Sequence, residues 1–212
     1  MARDVSAIVL AGGQSRRLGI DKTALRIGGQ TLLARTVELL ARVCREVIVV
    51  TSTPAQRSQP TLLYVTDTYP GKGVLSAIHA GLVSAQSPYC LAVAADMPFL
   101  NADLLGYLTS LAPGYDVVVP VIDGQFEPLH AVYSRQCIPF IQRRLEADSS
   151  PRVISFFGEV SVGRVSEEEM AAYDPTMLSL FNINTPVDLE RARRLLSERG
   201  LNITIDADVT TR

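Results

Sequence analysis

The chain has 212 residues, enough to bury one full hydrophobic core. Its 47% hydrophobic and 20% charged residues suit a soluble globular protein, and a net charge of −2 excludes an overall basic field for nucleic acid. No apolar run approaches the roughly 20 residues that span a bilayer, and the first apolar run meets a glycine turn too soon for a signal peptide. Cys44, Cys90 and Cys137 lack metal-ligand spacing and read as reduced, buried thiols, so a cytoplasmic protein with no nucleic-acid or membrane partner is expected.

The apolar run Ala7–Leu10 ends in glycines, and residues 6–10 read as a buried strand. The loop after it carries Gly12, Gly13, Arg16, Arg17, Gly19 and Lys22. Residues 25–27 form a short extended piece, and Thr31 caps a helix to Cys44 with Leu32, Leu33, Val37, Leu40 and Ala41 on one face. Residues 46–51 are a second strand, 54–60 a polar loop, and 62–65 a third strand. The turn-rich stretch 67–73 leads into a helix to Ala85 with Leu75, Ile78 and Leu82 on one face. A strand over 89–94 ends at Ala95-Asp96-Met97-Pro98, and Asn101 caps the helix that follows to Leu111.

Residues 116–121 are a fifth strand, Asp123-Gly124 a hairpin turn, and 130–133 the returning strand. Pro139 delays or kinks the helix over 134–147. Residues 158–165 and 180–183 are further strands, and 167–169 an acidic first helical turn. Thr185-Pro186-Val187-Asp188 is a helix start with Thr at the cap and Pro in the first position. That helix ends by Gly200, and alternation over 201–209 predicts a terminal strand or ordered tail. Strands alternating with crossover helices predict a three-layer α/β domain: a largely parallel sheet, with at least one antiparallel strand near Asp123.

The chemistry concentrates after the first strand. The loop is not a P-loop, because Gly-Lys-Ser/Thr is missing at the required spacing, and it lacks Gly-x-Gly-x-x-Gly. It offers backbone N–H groups and three cations, which suit a polyphosphate at the sheet's C-terminal edge. A solvated basic loop is the alternative. Asp96 closes another strand at the same edge; one such carboxylate can suffice for Mg²⁺, which keeps phosphates and waters in its shell, and an Asp that closes the loop through an Asx-type turn is the alternative. Asp67 follows a strand too and can accept from guanine's N1–H and 2-amino group or from ribose, or form a turn. His79 reads as a packing or surface residue. His130 lies in the Glu-Pro-Leu-His-Ala-Val-Tyr strand, but two lone histidines make no metal cluster. Glu127 and Arg152 are candidates for a second substrate, and Lys72 can reach phosphate or solvent. Asn182 and Asn184, one residue apart, can share a strand face.

Residues 10–22, Leu-Ala-Gly-Gly-Gln-Ser-Arg-Arg-Leu-Gly-Ile-Asp-Lys, closely resemble the signature loop of the molybdenum cofactor guanylyltransferases, the MobA family. Three further segments match in order: Asp96-Met97-Pro98, Glu127-Pro128-Leu129-His130-Ala131-Val132-Tyr133 and Asn182-Ile183-Asn184-Thr185-Pro186-Val187-Asp188-Leu189. The likeness covers residues 6–196 and implies a three-layer α/β/α, Rossmann-like fold over 1–200, with 201–212 as a terminal strand or tail. It implies transfer of GMP from GTP to molybdopterin with release of pyrophosphate, and transient contact with proteins that deliver the cofactor or mature molybdoenzymes.

By the same resemblance, Leu10, Ala11, Gly12, Gly13, Lys22, Asp67 and Asp96 bind the nucleotide. Lys22, Arg16 and Asp96 are catalytic, and Asp96 is the Mg²⁺ ligand. Arg152, Asn182 and Asn184 meet the pterin. Two departures stand out. Leu18 replaces the usual Met, and Gly73-Val74-Leu75-Ser76-Ala77 stands where the family more often has Gly-Pro-Leu-Ala-Gly, a change that touches base selectivity. A cytidylyltransferase on the same cofactor, a sugar-1-phosphate nucleotidyltransferase and a non-enzymatic nucleotide sensor or cofactor carrier are the alternatives.

Overall fold

The computed structural model describes residues 4–11, 25–51 and 62–205. Gly12, Gly13, Arg16, Arg17 and Lys22 lie outside the described residues, as do the polar stretch 54–60 and the tail beyond 205.

The fold is built around β1 (Val5–Leu10), every residue of which is buried. A strand covered on both faces needs the apolar run Ala7–Leu10, and the buried Ser6 hydroxyl donates to Glu46 Oε1 at 2.6 Å. The chain continues through β2 (Leu25–Ile27), β3 (Gln30–Thr31), α1 (Leu32–Val43), β4 (Val47–Thr51), β5 (Leu62–Thr66), α2 (Val74–Ser84) and β6 (Tyr89–Ala94). Then come α3 (Ala102–Leu111), β7 (Val117–Ile122), β8 (Gln125–Phe126), β9 (His130–Ser134), α4 (Ile138–Ala147), β10 (Val162–Val165), α5 (Glu167–Ala171), α6 (Pro186–Ser197) and β11 (Ile203–Ile205). The main sheet has the order β10-β7-β9-β6-β1-β4-β5, and β8 pairs with β7. Strands β6, β1, β4 and β5 are parallel neighbours, as are β10 and β7, while β9 runs antiparallel between β6 and β7. This is the mostly parallel sheet with a reversed strand that the alternation predicts.

Helices cover both faces. Leu40 of α1, Leu104 and Leu108 of α3 and Met170 of α5 pack with Val49, Leu91 and Val93 on one side. Leu75 and Ile78 of α2 and Ile141 and Leu145 of α4 pack with Ile8, Ile48 and Ala92 on the other. At Gly81 of α2 a Cβ would lie 2.6 Å from the Ile8 side chain, so only glycine lets this helix sit so close to β1.

The caps are local and follow the sequence. Thr31 accepts from Ala34 N–H, Asn101 from Asp103 and Leu104 N–H, and Thr185 forms a capping box with Asp188. Ala41 of α1 is exposed, and Thr36 and Val43 complete that buried face instead. Pro139 falls in the first turn of α4, after a 3₁₀ turn at Arg135–Cys137, so the helix starts late. All three cysteines are buried and none forms a disulfide.

Two expectations are corrected. Residues 180–183 do not form a strand: a 3₁₀ turn at Leu178–Leu180 precedes an extended piece that pairs with no sheet. The side of β6 that such a strand would need is already taken by β9, and buried Ile183 instead packs with Leu25, Ile27, Leu189 and Ala192. Of residues 158–165, only Val162–Val165 are extended; Val153–Glu159 coil as 3₁₀ helix and bury Phe156 and Phe157. Within the stretch expected as a terminal strand or ordered tail, Ile203–Ile205 form β11, which joins β2 and β3 in a small second sheet. Among the described residues, no helix is long and apolar enough to cross a membrane.

Candidate active site

Strand order reverses around β1: the chain goes to β4 on one side and returns to β6 on the other. Ligands of open α/β sheets bind at such a switch point, beyond the strands' carboxyl ends. Here Ala11 N–H donates to Val50 C=O at 2.9 Å and Ala95 N–H to Leu10 C=O at 3.1 Å, so the two strands release their loops side by side. Asp96, half-buried, follows β6 directly. Its carbonyl accepts from Ile183 N–H at 3.1 Å, which ties the Asn182–Asn184 segment to the same point.

The structure therefore brings Leu10, Ala11, Asp96, Asn182 and Asn184 to one edge. The two asparagines do not share a strand face: Asn182 Nδ2 donates to Leu180 C=O at 3.0 Å, and exposed Asn184 donates its N–H to Asp188 Oδ2 at 3.1 Å. Among the described residues no three His, Cys, Asp or Glu side chains form a metal cage. A lone carboxylate such as Asp96 fits a hard cation that takes its other ligands from phosphate and water.

Asp67 stands at the β5 end of the edge. Its Oδ1 accepts Tyr69 N–H at 2.9 Å and the hydroxyl of Ser76, a fully buried residue in the first turn of α2. The turn is thus real, and it orients the carboxylate. Gly73, with φ of 75°, opens that helix in a conformation that favours glycine. His79 packs its ring edge-to-face on Tyr69, with centroids 5.4 Å apart, and meets Thr68 Oγ1 at 3.5 Å. Burial lowers its pKa, against the pull of Asp67. Lys72 points elsewhere: Nζ donates to Leu145 C=O and, at 3.2 Å, to Asp148 C=O, closing the C-terminus of α4. No local signal in the sequence announces that distant partner.

Across β6, Glu127 begins the turn into β9. Its N–H donates to Pro120 C=O at 2.9 Å, and its C=O accepts His130 N–H at 3.1 Å. The side chain is half-buried, and that burial raises its pKa. Phe126 beside it meets Phe157 edge-to-face at 5.3 Å and carries the Arg164 guanidinium 5.2 Å above its ring. Sequence reading missed this aromatic pair, because Phe157 lies just before the strand expected over 158–165, in a stretch given no element. Arg152 is exposed at the start of the same 3₁₀ segment. His130 is wholly buried, and burial pushes its pKa down to about 4 against the pull of Asp174.

The mostly parallel sheet flanked by helices, with its switch point at β1, is the α/β architecture of the nucleotidyltransferases. The profile of the MobA-like NTP transferase domain matches residues 7–161, and the chain belongs to that family of enzymes. It is 40% identical over 188 residues to a probable molybdenum cofactor guanylyltransferase of Pelotomaculum thermopropionicum, covering 89% of this chain and 91% of the relative. It is 36% identical over 190 residues to the molybdenum cofactor guanylyltransferase of Desulfosudis oleivorans, covering 89% and 94%. The crystal structure of molybdopterin-guanine dinucleotide biosynthesis protein A from Archaeoglobus fulgidus superposes with a TM-score of 0.79 at 28% identity, over 91% of this chain and 99% of that one.

Proposed function

We propose that this chain transfers GMP from GTP to the terminal phosphate of molybdopterin and releases pyrophosphate. The observation that carries the reading is the meeting of two halves at Asp96. Its strand is bonded to β1 through Ala95 and Leu10, and its carbonyl is bonded to the Asn182–Asn184 segment through Ile183. Activities named for the relatives need a nucleotide and a phosphorylated pterin brought together at such a point.

In this reading an anionic oxygen of the acceptor phosphate attacks the α-phosphorus of GTP. The bond from that phosphorus to the bridging oxygen breaks, and pyrophosphate leaves with the electron pair. The attacking oxygen is already anionic near neutral pH, so no general base is required, and positioning with charge neutralisation does the work. Backbone N–H groups of residues 10–13 hold the nucleotide, and Asp67 accepts from guanine's N1–H and 2-amino group. Lys22 and Arg16 neutralise the leaving pyrophosphate. Asp96 would hold Mg²⁺, which when bound offsets phosphate charge. Arg152, Asn182 and Asn184 face the acceptor. The test is pyrophosphate release from GTP with molybdopterin and Mg²⁺, compared with CTP, ATP and UTP. Release that depends on GTP and on the pterin is expected; equal release from CTP, or none at all, sinks the reading.

A further inference from the structure

Glu127 is held firmly but is not used by the fold. Its backbone is bonded on both sides, to Pro120 and His130, and the next carbonyl, of Pro128, accepts the Tyr133 hydroxyl at 2.7 Å. Among the described residues its carboxylate makes no hydrogen bond or ion pair, although it is half-buried. Arg164 does not reach it, being stacked on Phe126. A partly desolvated carboxylate on a rigid turn takes its donors from water or from a ligand where the described residues supply none, and a ligand that brings two N–H donors replaces that water.

Position selects the ligand. Glu127 is bonded over β7, two strand spacings or about 10 Å beyond β6, where Asp96 stands. Asp67 follows β5, three spacings or about 14 Å from β6 on the opposite side. The two carboxylates flank the transfer point. A pterin carries an N3–H and a 2-amino group side by side, the same donor pair that guanine presents as N1–H and its 2-amino group. One carboxylate fits each pair. Resting on the reading above, we infer that Glu127 determines acceptor specificity by accepting from the N3–H and 2-amino edge of the pterin, as the counterpart of Asp67 on the guanine side.

The test compares wild type with Glu127→Gln and Glu127→Asp in the full chain with GTP and Mg²⁺. Glu127→Gln should raise the KM for molybdopterin about tenfold or more, the usual effect of losing a charge-assisted pair, and leave the KM for GTP unchanged. Direct binding, read by ring fluorescence, should show wild type preferring pterin-6-ylmethyl phosphate about tenfold over its 2-oxo counterpart, which lacks the 2-amino donor. Glu127→Gln should lose that preference, because an amide can also donate to the 2-oxo group, and Glu127→Asp should keep it with weaker binding. The Gln variant should melt at or above the wild-type temperature. Unchanged acceptor KM and discrimination, a changed GTP KM, or a lower melting temperature would each overturn the assignment. Absence of pyrophosphate release from wild type would instead sink the activity, while the two fluorescent probes would still judge Glu127.

Discussion

The two ends of the sheet edge treat their polar groups in opposite ways. Over β5, Asp67 accepts from Tyr69 and Ser76, and His79 meets Thr68 and Tyr69. Over β9 and β7, neither the Glu127 carboxylate nor the His130 ring has a hydrogen-bond partner among the described residues. The first end is organised before any ligand arrives, so its carboxylate needs little rearrangement to bind. The second keeps polar capacity unmet, which costs stability and leaves binding energy to be gained from a ligand.

The largest effect should come where the two ends meet. Asp96→Asn, and Lys22→Ala from the basic loop, should each cost on the order of 100-fold in turnover, about 3 kcal/mol, with little change in melting temperature. Pyrophosphate release by either variant at near wild-type rate would remove the transfer point from this edge.

The histidines sharpen the contrast next. His130 is neutral in the folded chain down to about pH 4, whereas an unfolded histidine takes up its proton near pH 6.5. Between those values the unfolded chain binds more protons, so stability is full above pH 6.5 and is lost as pH falls towards 4. The difference corresponds to about 3 kcal/mol. Urea unfolding at a series of pH values should show this slope in wild type and a flatter one in His130→Leu. An equal slope in both would place the acid sensitivity elsewhere.

At the organised end, Ser76→Ala removes one of the two donors that orient Asp67. The KM for GTP should rise about fivefold, the worth of roughly 1 kcal/mol, with the KM for molybdopterin unchanged. Selectivity for GTP over ATP should fall with it, and a variant with unaltered GTP kinetics would show that Asp67 needs no such support. The smallest effect belongs to Lys72→Ala. It should lose on the order of 0.5 kcal/mol of stability by uncapping α4 and leave activity unchanged, so a raised KM for GTP would return Lys72 to the nucleotide.

Much of the fold can be read from the chain alone. Val5–Leu10, through its run Ala7–Leu10, and Tyr89–Ala94 are legible as strands because short continuous apolar runs suit the covered middle of a parallel sheet. The helix starts at Thr31, Asn101 and Thr185 are legible because a cap involves residues within a few positions of each other. Asp67 and Asp96 are legible as strand-closing carboxylates, since a strand that ends in a carboxylate delivers it to the sheet edge whatever lies beside it.

What the sequence could not decide is which distant partner each piece would find. Residues 180–183 are apolar enough for a strand, yet β9 holds the place beside β6, and Ile183 instead donates a single backbone hydrogen bond to Asp96. Lys72 has a charge suited to phosphate, yet its ammonium closes a helix whose last carbonyls lie more than seventy residues away. Ile203–Ile205 alternate like any terminal strand, but only the folded chain shows that β2 receives them. Backbone propensity and capping act over a few residues, so composition and order determine them. Pairing, packing and the partners of a carboxylate depend on which groups the fold brings within hydrogen-bond reach, and that was settled only by the tertiary structure.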